Sequence, residues 1–342
     1  MADPGPSVFK DGAGTRPILQ VSSDSLPTEG RLKGNDISSL VSLRRPRAGS
    51  DQPVSHVIFS KMTARTACWT DPVRLLGTFL DLARIHSPSA DESPVADYLK
   101  HRLDQLGFET TRDPVGNLIV TVPASGDFNP NLLYTAHMDC AYPQDSPPGE
   151  PVLHSSGDIG TDGRNSLGAD DKSGIAGIIA TLEFIIHARI PHGDLKVVFT
   201  VQEEIGWRGI KQVPASILNG VHLVTAMDPP VRVERDETGF KALLNISRDH
   251  VNVELARSCC RLVGGSLLLP YSDDGCVGGD TICISPIGAN VIDFFSGSRY
   301  VHTTHEHLRF EDLARQTSWM IAVTKEVLKS DSRETKAKDM NG

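Results

Sequence analysis

Four short apolar runs in this chain end on acidic residues or a histidine. They lead into Ala136-His137-Met138-Asp139, Val201-Gln202-Glu203-Glu204, Ala226-Met227-Asp228 and, just past the last run, Arg299-Tyr300-Val301-His302. A fifth polar cluster, Gly168-Ala169-Asp170-Asp171-Lys172, opens a helical pattern over 175–188. Strand-length apolar runs alternating with helical periodicity predict a sheet covered on both faces. In open α/β sheets, ligands gather outside the carboxyl ends of the strands. The pattern therefore predicts a three-layer α-β-α fold around a central mixed, mostly parallel sheet, with the polar clusters gathered at one edge.

The remaining elements fit this frame. Asp71-Pro72 is an N-cap followed by a first-turn proline, and a second helix begins at Ser89 or Asp91 and closes at Gly107. Strands are expected over 108–112 and 118–122 about the turn at 114–117, and then over 131–135, 195–201, 221–227 and 290–295. A Gly/Ser/Asp-rich loop is expected over 141–167, a hairpin over 231–246, a helix over 249–263 and an amphipathic helix over 311–329. Residues 1–61 are rich in Ser, Gly, Pro and Asp without a sustained period. They read as a disordered tail or a misassigned start, with Met62 as the alternative beginning. A single catalytic domain over 62–330 and a charged tail over 331–342 complete the organisation.

Composition excludes several classes. With 34 basic and 43 acidic residues, the net charge of −9 argues against nucleic-acid and anionic-membrane partners. No apolar run is long enough to span a bilayer. The cysteines (68, 140, 259, 260, 276 and 283) form no CxxC pair, so neither a disulfide scaffold nor a zinc ribbon is expected. With no signal-peptide pattern at the start, a cytoplasmic location is expected.

Clustered carboxylates repel one another, and their charge must be neutralised. A pair of divalent cations does this, and mixed His and carboxylate donors suit zinc, with cobalt or manganese possible. Each piece alone is weak, because Asp-Asp before a helix is an ordinary cap and Glu-Glu after a strand an ordinary solvated pair. Their order and context together carry the signal.

The strings YTAHMD (134–139), LGADDKSGIA (167–176), FTVQEEIGWRG (199–209), AMD (226–228), GGD (278–280) and RYVHTTHE (299–306) resemble those of the co-catalytic dizinc exopeptidases, in the style of peptidase T. LGFETTRDPVGNLIVTVP (106–123) matches the family's early hairpin, and the resemblance covers residues 70–330. It implies that His137 and Asp228 hold one metal, that Glu204 and His302 hold the other, and that Asp170 bridges both. Glu203 is then the general base acting on a metal-bridging hydroxide, Asp139 orients the His137 ring, and the Asp170–Asp171 peptide is cis. His305 is the alternative to His302.

The implied activity is hydrolysis of small peptides by an aminopeptidase or tripeptidase. An N-acyl-amino-acid amidohydrolase or a metal-binding pseudoenzyme are the rival readings. The family's lid and dimerisation domain has no room between Asp228 and His302, nor does the alternative insertion between His137 and Asp170. A bare catalytic domain is expected, monomeric or assembled through a face other than a lid. Asp280 is a candidate to bind a substrate amine, and Arg299 or Arg248 a substrate carboxylate. Cys259 and Cys260 read as packing residues, with Cys140 beside the site.

Overall fold

The computed structural model describes residues 70–126, 131–143, 147–228, 279–281 and 290–339, with short pieces at 10–11, 14–15, 241–243, 259 and 266–268; beyond Leu328 only the backbone is described. Helix α1 (Pro72–Ala83) begins as its sequence predicts. The Asp71 carboxylate accepts from the amides of Val73 at 3.0 Å and Arg74 at 3.2 Å, and Pro72 sits in the first turn. Helix α2 (Ser93–Gln105) starts later than Ser89 or Asp91, with Glu92 at the N-cap. Strands β1 (Glu109–Arg112), β2 (Leu118–Val122) and β3 (Asn131–His137) follow.

Two short strands, β4 (Val152–Leu153) and β5 (Asp158–Gly160), interrupt what the sequence presents as a loop. Then come α3 (Ala169–His187), β6 (Leu195–Thr200), the short α4 (Ala215–Leu218) and β7 (Val221–Met227). The last part holds β8 (Asn290–Phe294), β9 (Ser298–Arg299), β10 (His307–Arg309) and α5 (Phe310–Asp339).

The main sheet has the order β8-β7-β3-β6-β2-β1. Its four strands from β8 to β6 are parallel, and β2 and β1 continue it antiparallel. Side-chain alternation sorts the strands onto two faces. Leu132, Tyr134 and Ala136 of β3 join Leu195, Val197 and Phe199 of β6 in a large core that also takes residues from α1, α2, α3 and α5. Leu133, Val198, Val224 and Val291 point to a smaller core closed by Ile210 and Val213, with Trp207, Ile217 and Leu218 packed against it. Helices thus lie on both sides of a mixed sheet, as the patterning predicts. Tyr134 and Thr324 bond their hydroxyls at 2.9 Å and tie the central strand to α5, while Trp319 meets Phe294 edge-on at 4.6 Å.

A second sheet, β9-β10-β5-β4, is wholly antiparallel. It makes residues 300–306 the loop of a hairpin and leads directly into α5. Helix α5 continues past 329 to Asp339, where the sequence reading placed a charged tail. Propagating an existing helix through residues such as Glu334, Lys336 and Ala337 needs no new nucleus.

Lys241–Leu243 pairs in parallel with Ser266–Leu268, not within a 231–246 hairpin. The rest of that hairpin, the 249–263 helix apart from Cys259, Arg248 and the tail over 1–61 apart from two short pieces lie outside the described residues. Among the described residues, no helix is long and apolar enough to cross a membrane.

Helix α3 approaches the end of β7 so closely that glycine is required there. A methyl group on Gly174 would lie 2.1 Å from the Met227 carbonyl oxygen and 2.2 Å from Asp171 Oδ1. At Gly177 the nearest atom is the flexible Met227 Cε at 2.9 Å. Alanine gains about 1 kcal/mol of helix propensity at either place. At 174 the steric cost exceeds that gain, because backbone and a buried carboxylate must move. Gly174→Ala is expected to destabilise the protein by about 2–3 kcal/mol, with Gly177→Ala costing less than half as much in denaturant unfolding. Equal losses would contradict this account of the packing.

Candidate metal centre

The parallel strands deliver their polar ends to one edge. His137 ends β3, Gln202 to Glu204 follow β6, and Asp228 follows β7. Asp170 sits at the start of α3, where Asp170 and Asp171 depart from helical geometry and share a cis peptide bond. His302 comes from the β9–β10 loop, in the left-handed region at φ +61°.

The Asp170 carboxylate lies between two imidazoles. His137 Nε2 is 3.0 Å from Oδ1, and His302 Nε2 is 3.2 Å from Oδ2. His302 Nε2 also lies 2.8 Å from Glu204 Oε1. Donor atoms of His137, Asp170 and Glu204 all fall within 4.8 Å of one another. His302 is the ring that reaches these carboxylates; the His305 contacts are backbone ones, its amide to the Thr303 hydroxyl and its carbonyl to His307.

Asp228 sits beside this trio, with its amide donating to the Phe294 carbonyl at 3.0 Å. A Cβ on Gly279 would stand 2.1 Å from Asp228 Oδ2, and Gly279 has φ +94°, so this approach to Asp228 requires glycine.

Ring orientation is set from behind. The Asp139 carbonyl accepts from His137 Nδ1 at 2.9 Å, and Asp139 Oδ1 lies 3.5 Å from the same nitrogen. The carboxylate of Asp139 has a further role that the sequence does not announce. It accepts from the amides of Glu203 at 3.0 Å and Glu204 at 3.1 Å, and from the Ser89 hydroxyl at 2.7 Å. Glu203 Oε1 accepts from the Trp207 indole at 2.6 Å. Glu306 accepts from the amides of Gly168 at 2.7 Å and Asp170 at 3.1 Å, which secures the start of α3. Sequence reasoning missed the Trp207 and Glu306 contacts; the one signal was Glu306 standing four residues after His302.

The electrostatics separate the carboxylates. Burial alone would raise Asp170, but hydrogen bonds from His137 and His302 outweigh it and hold its carboxyl below the ordinary range. Burial and then the neighbouring Asp170 and Asp171 push Asp228 well above that range. Glu203 is pushed up to about 7 by burial and by Asp280, Glu204 and Asp170. His302 is raised to about 10 by its bonds to Asp170 and Glu204. Burial opposes a charge on His137, yet Glu203, Asp139 and Asp170 together hold it well above its usual value. Negative charge here exceeds what two imidazoles neutralise. Among the described residues, two imidazoles and several carboxylates converge with no Lys or Arg bonded to them, which is the donor chemistry of a divalent-cation site.

Two further candidates are placed differently from one another. Asp280 is buried, with Oδ2 accepting from the Thr135 hydroxyl at 3.2 Å and from the Thr200 hydroxyl. Among the described residues, its Oδ1 has no hydrogen-bond partner. Arg299 is paired with Asp312 of α5 at 3.1 Å. The Cys140 thiol is buried behind the centre, 3.7 Å from the Gly168 carbonyl, and burial pushes it up to about 11. Cys259 is buried, as a packing residue would be.

The M42 glutamyl aminopeptidase family model matches residues 152–242, the stretch that holds Asp170, Glu203, Glu204 and Asp228. Peptidase T of Shewanella woodyi is 37% identical over 151 aligned positions, covering 35% of this chain and 37% of the relative. The matches span about two fifths or less of the length of such curated relatives.

In solved structures, the aminopeptidase PepT from Bacillus cereus superposes with a TM-score of 0.66 at 19% identity, over 76% of this chain and 99% of that one. The Bacillus subtilis YXEP protein, described as a dinuclear metal-binding peptidase of the M20 family, gives 0.56 at 13% identity over 75% and 98%. In motifs and in fold, this chain is similar to peptidases of the peptidase T and M42 type.

Proposed function

We propose that this chain hydrolyses terminal peptide bonds of small peptides as a two-metal aminopeptidase of the tripeptidase type. The observation that carries the reading is the Asp170 carboxylate, which presents one oxygen to each of two imidazoles. His137 and Asp228 would hold one cation, Glu204 and His302 the other, with Asp170 shared. Zinc suits these donors, with cobalt or manganese as substitutes. When bound, the cations supply Lewis-acid polarisation of the scissile carbonyl and a water of lowered pKa.

The chain's own residues do the rest. The Asp139 carbonyl can only accept, so it fixes the proton of His137 on Nδ1 and leaves Nε2 as the ligating nitrogen. Asp139 also pins the amides of Glu203 and Glu204, which sets the direction of both side chains. Trp207 holds Glu203 Oε1 and leaves Oε2 for the reacting proton. Glu203 takes the proton of the attacking water and gives it to the leaving amine. Asp280, buried and with one oxygen unpartnered among the described residues, is the candidate to meet a substrate amine. Arg299 would have to exchange its Asp312 partner to meet a substrate carboxylate. The protein would act as a monomer, or through an interface other than a lid.

The test is one assay. Zinc-loaded protein is offered aminoacyl-anilides, tripeptides and N-acetyl amino acids, with and without a chelator. Cleavage of the first two that chelation abolishes is the expected result. Cleavage of N-acetyl amino acids alone would turn the reading to a deacylase, and activity that survives chelation would reject it.

Glu203→Gln should keep the metal content of the wild type and lose turnover by about 10²–10⁴-fold. An active variant would remove Glu203 from its role. Cation binding should also stabilise the fold, by about 2.7 kcal/mol at a hundredfold excess over Kd, read as a rise in Tm on adding zinc to chelator-treated protein. Asp170→Asn should abolish most of that rise.

A further inference from the structure

Helix α2 is preceded by three residues able to accept hydrogen bonds, Ser89, Asp91 and Glu92. Glu92 occupies the N-cap position, yet its side chain makes no bond to the first turn of its own helix. Its Oε1 accepts instead from the amide of Ala90 at 2.8 Å and from the amide of Gln202 at 3.0 Å, 110 residues away. Glu92 is buried, with 5% of its surface exposed. Ser89 likewise turns away from α2, to the Asp139 carboxylate.

Gln202 is where β6 gives way to the Glu203-Glu204 pair, and it holds the left-handed conformation at φ +55°. A non-glycine residue adopts that conformation only where its surroundings impose it. Here the surroundings are two carboxylates from different parts of the chain. Glu92 takes the amide of Gln202, and Asp139 takes the next two, of Glu203 and Glu204. Three consecutive amides therefore point into buried acceptors. The side chains they carry are the ones the centre needs aimed.

We infer that Glu92 is a positioning residue of the metal centre: it locks Gln202 in the left-handed conformation and so aims Glu203 and Glu204. The inference rests on the proposed roles of those two residues. The bond to Gln202 is geometric and needs an acceptor at the right reach, not a charge. Glutamine keeps that oxygen, aspartate is one methylene too short, and alanine has none.

The experiment measures zinc content at buffered free zinc about tenfold above the wild-type Kd, where the wild-type sites are nearly full, alongside kcat and KM on a tripeptide and Tm. Glu92→Ala should weaken zinc binding at the Glu204 side 10–100-fold, to about one ion per chain, and lower kcat by a similar factor. KM should stay within about twofold, because uniform substrate binding is untouched. Glu92→Gln should restore metal content and kcat to near the wild-type level, whereas Glu92→Asp should resemble Glu92→Ala.

A Glu92→Ala protein with only a lowered Tm, and with wild-type zinc binding and kcat, would overturn the inference. So would a glutamine variant as impaired as alanine. Should the alanine variant not fold, the contrast of glutamine with aspartate decides in the same way. If wild type binds two zinc ions and cleaves peptides while all variants match it, the positioning role alone fails. If wild type binds no zinc, the proposed function falls and takes this role with it.

Discussion

The Asp170 carboxylate is buried, and a buried charge must be paired or it will neutralise. Its partners are the rings of His137 and His302, which arrive from the end of a central strand and from the loop of a small hairpin. The start of α3, the tip of β3 and the β9–β10 loop are thus held to one point by a single side chain. The same contact divides the electrostatics of the centre. Asp170 is held ionised by two imidazoles, while Asp228 and Glu203 are driven up by burial and by their acidic neighbours. A fold that selected only for stability would replace such carboxylates with apolar residues. Keeping them is intelligible where cations complete the charge balance.

Around that point, buried carboxylates serve as clamps on backbone amides. Asp139 holds Glu203 and Glu204, Glu306 holds Gly168 and Asp170, and Asp171 holds His137 at 3.3 Å and Gly174 at 3.1 Å. Asp139 is the clamp held below the ordinary carboxylate range, against the pull of burial, by its bonds to His137 and Ser89, and hydrogen bonds to a charged group are worth about 1.5–3 kcal/mol each. That range matches the cost of about 1–3 kcal/mol for a non-glycine residue at positive φ. Gln202, Trp207, Tyr300 and His302 are all in that conformation, on the two loops that carry Glu204 and His302. On the first loop, the clamps on Glu203 and Glu204 adjoin Gln202 and offset its strain.

The parts of the fold with strong period were legible in the sequence. The strand over 221–227 matches its observed bounds, and Asp71-Pro72 caps α1 as its chemistry requires. Strands of two or three residues, such as Val152–Leu153 and Asp158–Gly160, carry too few alternations to register as a period, and their partners lie far along the chain. The donors at the strand ends were legible because each follows an apolar run. Trp207 and Glu92 were not, because an indole four residues from a carboxylate and an acid before a helix are ordinary local features. Only the three-dimensional path of the chain brings them to the site. The start of α2 was misplaced for the same reason, since Ser89 makes its bond to Asp139 and not to a helix end.

Burial is graded across the centre, and the gradient gives it a direction. Side-chain exposure is nil at Asp139 and 2% at His137, 9% at Asp170 and 8% at Glu204, then 44% at His302. Behind the deep end, the ammonium of buried Lys172 donates to the Ile85 carbonyl at 2.5 Å and to the Tyr142 hydroxyl at 3.0 Å. Burial lowers the pKa of Lys172 on the inner side, and the imidazoles lie across the middle. Solvent reaches the carboxylates past His302. Glu203 and Glu204 stand on the loop facing that edge. The rigid side of the site is built on β3 and α3, and its open side on a hairpin only two and three residues wide, where loop residues can vary without disturbing the sheet.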